Sequence, residues 1–237
     1  MNKENEFVLK IRQKLFEVKD DKYADFQSKL TPEKPRESFI GVKTPLLKGL
    51  AKQIYKTANK SEINEFLKSV PHEYFEENNL HDFLICEIKD FNECLEKINE
   101  FLPYIDNWAT CDQLTPAALK KDKEGLLKAI DGWLKSDKTF AVRFGIGMLM
   151  RHFLGEDFMP EYAERVADIK SEEYYILMMQ AWYFATALCK NESQILPYFT
   201  NGKLSGFVLK KSIQKSLESF RVTEQTKDYL RQIRKSL

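Results

Sequence analysis

The stretch Thr44-Pro45-Leu46-Leu47-Lys48-Gly49-Leu50-Ala51-Lys52-Gln53-Ile54 reads as an amphipathic helix with a marked start. Thr44 followed by Pro45 has the form of an N-cap and a first-turn proline. Leu46, Leu47, Leu50, Ala51 and Ile54 recur at three- and four-residue steps, which places them on one face. The same period runs along almost the whole chain. Phe7, Val8, Ile11, Leu15 and Phe16 mark an amphipathic helix within the first twenty residues, and Tyr23 to Leu30 a short second one closed by Thr31-Pro32. Ser61 is placed to cap a helix through Val70. Further helices are expected at 74–89, 93–103, 108–120, 123–135, 139–154, 160–169, 172–190, 193–199, 207–219 and 224–236.

About fourteen helices joined by connections of a few residues predict antiparallel neighbours. With no strand signal, the expected fold is all-α: a right-handed α-solenoid of HEAT-like helix pairs, forming one domain over residues 1–237. The repeat is inferred from helix number and spacing, because no self-similarity is visible. Such a stack curves, and its concave face is the usual binding surface. Only 9 glycines and 8 prolines punctuate the chain, too few for a many-turned sandwich or barrel. An apolar fraction of 43% against 31% charged excludes disorder.

No apolar run approaches the roughly 18 residues that a membrane span needs. The charged first twenty residues do not form a signal peptide. Cys86, Cys94, Cys111 and Cys189 lack CxxC spacing, and His72, His81 and His152 are scattered. Reduced, mostly buried thiols in a cytoplasmic protein are expected, without disulfides, metal or organic cofactor. A monomer is expected.

The net charge of +1 hides an asymmetry. Residues 61–100 carry eleven acids against three lysines, whereas residues 201–237 carry nine Lys/Arg against three acids. One positive surface lets a near-neutral protein bind a polyanion. Solvated helix faces that fluctuate in sign would give the same counts.

Two helices, 139–154 and 172–190, are unusually apolar and are expected in the middle of the stack. Along the first, Arg143, Gly147 and Arg151 share one stripe, which must be paired or must line a groove. Along the second, Tyr175, Met178, Met179, Trp182 and Thr186 span a broad face.

The functional lead is Ile105-Asp106-Asn107-Trp108-Ala109-Thr110-Cys111-Asp112-Gln113. Asp106-Asn107 has the form of an N-cap, so Trp108 and Asp112 share a helix face four residues apart. An aromatic ring beside a carboxylate can hold a sugar on which positive charge develops. Asp112 could equally be a surface or capping carboxylate, and a tryptophan in a helical protein is core by default.

With those helices placed, the sequence resembles the AlkD-type DNA alkylation repair proteins, alkylpurine DNA glycosylases built of HEAT-like repeats. The anchors are Phe39-Ile40-Gly41-Val42-Lys43-Thr44-Pro45 with Leu46-Leu47-Lys48, then Asp106 to Asp112, Phe140-Ala141-Val142-Arg143, the helix bearing Trp182, and Lys210-Lys211-Ser212-Ile213-Gln214-Lys215. The resemblance implies a base-excision glycosylase that acts on duplex DNA carrying N3- or N7-alkylated purines, without base flipping. It places Asp112 on the catalytic aspartate, Trp108 and Trp182 on active-site tryptophans, and Arg143 on an arginine that contacts DNA near the lesion. Thr44 and Pro45 fall where the family contacts the opposite strand, and Lys43 stands at a glutamine-like position. Lys43, Thr44, Pro45, Lys48, Arg151, Lys210, Lys211 and Lys215 are the DNA contacts it implies. One departure is clear: no basic residue follows Trp182 a turn later, where the founding members have one.

Other roles remain open for several of these residues. Arg143 fits a structural bridge to Asp112 or Asp106 as well as a phosphate contact. Lys210, Lys211 and Lys215 fit solvated charges as well as phosphate contacts, with Lys211 and Lys215 on one face. A helix cap at Thr44 would not exclude DNA contact. Two other functions fit the same pattern: a non-enzymatic module that binds distorted DNA, and a protein-binding helical scaffold that uses the acidic 61–100 region.

Overall fold

The computed structural model describes residues 6–237 and divides the chain into two compact units, Met1–Lys123 and Glu124–Leu237. Among the described residues there are fourteen α-helices, five short 3-10 segments and no strand. The all-helical expectation holds. Residues 1–5 of the first expected helix lie outside the described residues.

The first unit contains α1 (Glu6–Glu17), α2 (Asp21–Leu30), α3 (Thr44–Thr57), α4 (Lys60–Lys68), α5 (Phe75–Glu87), α6 (Phe91–Phe101) and α7 (Trp108–Gln113). The second contains α8 (Lys123–Trp133) from Glu124 onward, α9 (Thr139–His152), α10 (Pro160–Asp168), α11 (Tyr174–Lys190), α12 (Glu192–Ile195), α13 (Gly206–Glu218) and α14 (Glu224–Lys235). Within each unit alternate helices pack side by side: α3 on α5 and α5 on α7, then α9 on α11 and α11 on α13. This solenoid-like layering places α5 and α11 at the centre of their units. Both are buried along most of their length.

Short polar side chains set six of the fourteen described helix starts. Asp20, Asn59, Asp90, Asn107, Ser205 and Thr223 each accept a backbone N–H from the first turn of the helix that follows. Two starts differ from the sequence reading. Asn59, and not Ser61, caps α4, because Glu62 reaches back to the Asn59 N–H and completes a capping box. Lys43 occupies the cap position of α3, so Thr44 is its first helical residue and makes no side-chain cap.

Proline shortens two of the expected helices. Leu114-Thr115-Pro116 ends the helix expected over 108–120 after six residues, and Ala117–Lys121 continues as a 3-10 segment. Pro197 likewise converts Leu196–Phe199 to 3-10 after the four-residue α12.

The interior of the first unit is unusually polar. Every residue of α5 from Phe75 to Ile85 is buried, including Glu76, Glu77, Asn78, Asn79, His81 and Asp82. Buried polar groups require partners, and these find them. Glu76 accepts the backbone N–H groups of Ile40 (2.9 Å), Gly41 (2.7 Å) and Val42 (3.3 Å). Glu77 receives Arg12 (2.8 Å) and the Tyr74 N–H (3.1 Å). His81 meets His72 at 2.8 Å and stacks on Phe101 with ring centroids 3.7 Å apart. Burial lowers both imidazoles, His72 to about 4, so this pair is uncharged at neutral pH. Three of the acids counted in 61–100 therefore lie in the core and add nothing to an acidic surface.

Asp82 is the exception. It is fully buried, and among the described residues neither carboxylate oxygen has a hydrogen-bond partner. Burial pushes its carboxyl well above the usual range, so the folded protein keeps a proton that the unfolded chain releases above about pH 4. The folded state then binds more protons than the unfolded one, and stability falls as pH rises through that window. Replacing Asp82 by Asn removes the titration. The urea midpoint of Asp82→Asn should gain on the wild type as pH rises above about 4, and profiles that stay parallel throughout would show that Asp82 is ionised in the fold.

Candidate active site and nucleic-acid interface

Helix α7 is only six residues long and is held in place by buried hydrogen bonds. Asn107 Oδ1 accepts the Thr110 N–H at 2.9 Å, while Asn107 Nδ2 donates to Thr110 Oγ1 at 2.9 Å. Thr110 Oγ1 in turn donates to Asn79 Oδ1 of α5, also at 2.9 Å. Gln113 Nε2 donates to the Ala109 carbonyl (2.9 Å) and reaches Asn79 Oδ1 (3.4 Å). Asn79 thus anchors both turns of α7 to the buried helix.

The opposite side of α7 carries Trp108 and Asp112, both partly exposed and one turn apart. Trp108 Nε1 donates to the Leu30 carbonyl at the end of α2 at 3.0 Å, which restricts rotation of the indole. Lys34 pairs with Asp106 just before the helix. The shared face expected from the sequence is therefore present. A fixed ring and a carboxylate on one partly open face can pack on a sugar and stabilise positive charge there.

The start of α3 is built on the same central helix. The three N–H groups taken by Glu76 belong to the loop that leads into Lys43, Thr44 and Pro45. Gly41 has φ +93°, and a Cβ there would sit 2.0 Å from the Asp20 carbonyl oxygen. Only glycine fits. Lys43 and Pro45 are exposed, and the Lys43 ammonium lies 3.5 Å from Asp20. Lys48 places its ammonium over the Phe83 ring at 5.3 Å, in a small cleft that also includes Gln113 of α7.

In the second unit Arg143 is only 5% exposed, and its guanidinium donates to the Tyr175 carbonyl (2.8 Å) while lying over that ring. It holds the first turn of α11. The stripe on α9 is real: a Cβ on Gly147 would meet a guanidinium nitrogen of Arg151 at 3.2 Å, so the missing side chain makes room for that arginine. Trp182 is 38% exposed, although most of α11 is buried. It lines a cleft of about 290 Å³ with Thr186, Lys215 and Arg221. Lys210 is exposed, and Lys211 donates to Gln214. Sequence reasoning had Trp182 and Lys215 but not Arg221, which lies in a turn where periodicity carries no signal.

The family model described as DNA alkylation repair enzyme matches residues 11–172, more than half of the chain. The chain belongs to the DNA alkylation repair enzyme family. No curated protein matches it. Family membership points to a repair enzyme with DNA as its partner, as the resemblance implied. The matched segment includes the loop before α3, all of α7 and the Arg143–Arg151 stripe, and it ends before Trp182 and the Lys210–Lys215 segment. No described helix is long and apolar enough to cross a membrane.

The Asn79 anchor makes a specific demand on this family member. Asn79→Ala leaves the Thr110 hydroxyl without its acceptor and removes the longer of the two Gln113 amide contacts, at a cost of about 1–3 kcal/mol. Amide exchange at Cys111 and Asp112 should accelerate beyond the global loss of stability. Exchange that rises uniformly across the unit would show that Asn79 does not position α7.

Proposed function

We propose that the protein is a monofunctional DNA glycosylase that hydrolyses the N-glycosidic bond of cationic N3- or N7-alkylpurines in duplex DNA. The observation that carries this reading is α7, where a fixed Trp108 and Asp112 share one partly exposed face in a member of the DNA alkylation repair enzyme family.

The chemistry suits a single carboxylate. Alkylation at N3 or N7 gives the purine a positive charge, so it departs as a neutral base and needs no strong general acid. Ordinary glycoside hydrolysis uses two carboxylates because its leaving group must be protonated. What remains is oxocarbenium character on the deoxyribose and a water to capture it. Asp112 stabilises the first and orients the second. The Trp108 face packs on the sugar and favours its cationic form. A base that leaves this readily need not be extruded first, although most glycosylases do extrude it.

Lys43, Thr44, Pro45 and Lys48 at the start of α3, with Arg151, Lys210, Lys211 and Lys215 in the second unit, hold the phosphates without reading sequence. Trp182 offers a second exposed ring to the DNA. Arg143, whose guanidinium donates to the Tyr175 carbonyl, positions the first turn of α11 and stands near the lesion in this reading. The position one turn after Trp182 is Thr186 and carries no charge, which favours a non-enzymatic DNA-structure-binding protein as the second reading.

One assay separates the two. Duplex DNA carrying 7-methylguanine, incubated with the protein, should release the base, and Asp112→Asn should lower the single-turnover rate about 100-fold or more with DNA affinity unchanged. Retained, salt-sensitive DNA binding without base release by the wild type would establish the binding module instead.

A further inference from the structure

The turn between α13 and α14 carries an unusual side chain. Phe220 stands wholly in solvent and is the most exposed large apolar residue among those described. Its neighbours Ser219 and Arg221 both line the cleft that contains Trp182, Thr186 and Lys215. The turn is fixed and not loose. The Arg221 N–H donates to Ser219 Oγ at 3.2 Å, and that hydroxyl lies 3.5 Å from Cys189 Sγ of α11. Glu218 also lines the cleft and accepts Gln214 Nε2 at 3.0 Å, so the lining carries two cations against one carboxylate. Two cations and one partly exposed indole therefore line the cleft, and a fully exposed phenyl ring stands on the turn that borders it.

We propose that this cleft and its turn bind one strand of DNA. A backbone phosphate sits between Lys215 and Arg221, the adjoining sugar lies against Trp182, and the Phe220 ring stacks on a base face or wedges into a base step. Arg221 and Phe220 thereby become nucleic-acid contacts that no family match covers, since the match ends at residue 172. Charge complementarity selects DNA over an apolar protein partner: residues 201–237 carry nine Lys/Arg against three acids. Phosphate pairing beside an aromatic platform is how strands are gripped without sequence readout, and apolar side chains such as Phe serve as wedges between base steps. The inference rests on the DNA-binding part of the proposed function and not on excision.

The test is fluorescence anisotropy with an undamaged duplex across a salt series. Arg221 and Phe220 are exposed, so truncating either leaves the fold intact. Arg221→Ala should lower the slope of log K against log salt by about 0.9, the value for one lost phosphate contact. Phe220→Ala should weaken binding about 5-fold or more with the slope unchanged. In a Phe220→Trp variant the new indole should be quenched when DNA binds. Wild-type affinity and slope in the first two variants, with no quenching in the third, would overturn the inference and leave DNA binding by the rest of the protein standing. If the variants behave as expected but no alkylpurine is released, the cleft assignment holds and the glycosylase reading falls. Absence of salt-sensitive binding by the wild type would overturn both.

Discussion

The Glu76 carboxylate, shut away from solvent on α5, accepts three consecutive backbone N–H groups from the Ile40–Val42 loop. Burial raises its carboxyl above the ordinary range, and the three donors pull it back toward the ionised form. A loop fixed at three successive amides has little freedom. The Asp20 carbonyl closes its other side so tightly that residue 41 must be glycine. The start of α3 follows directly, with Lys43, Thr44 and Pro45 presented at one place. The same α5 holds α7 one turn further along, through Asn79 and Thr110. Both elements of the first unit that the proposed function turns toward DNA are thus referenced to one polar, buried helix.

This arrangement explains what the sequence could and could not reveal. Apolar periodicity located the helices, because a face packed on a neighbour must repeat at 3.6 residues. It also put Trp108 and Asp112 on one face, and Arg143, Gly147 and Arg151 on one stripe. The exact starts were less legible. Ser61 and Thr44 have the right chemistry for caps, but Asn59 with Glu62 and the loop ending at Lys43 set the actual boundaries. Pro116 marks the break after α7, but the apolar period continues across it and reads as one longer helix.

The polarity of α5 was misleading for a physical reason. Acids are almost always exposed, so eleven of them in 61–100 read as surface. Glu76, Glu77 and Asp82 are buried instead, two of them supported by partners from distant parts of the chain: Arg12 and the Ile40–Val42 amides. Nothing local to residues 76–82 marks that. Arg221 was invisible in the same way, because a turn residue joins Trp182 and Lys215 only through the packing of α11 on α13.

The proposed chemistry depends on one physical premise: a single carboxylate suffices because the leaving base is already cationic. That premise is open to direct measurement. Single-turnover excision should be compared on two duplexes of the same sequence, one carrying 7-methylguanine and the other a neutral lesion base such as hypoxanthine. The account predicts release of the cationic base alone, since no group beside Asp112 on α7 is assigned to protonate a neutral one. Comparable release of hypoxanthine would contradict it and would require a general acid.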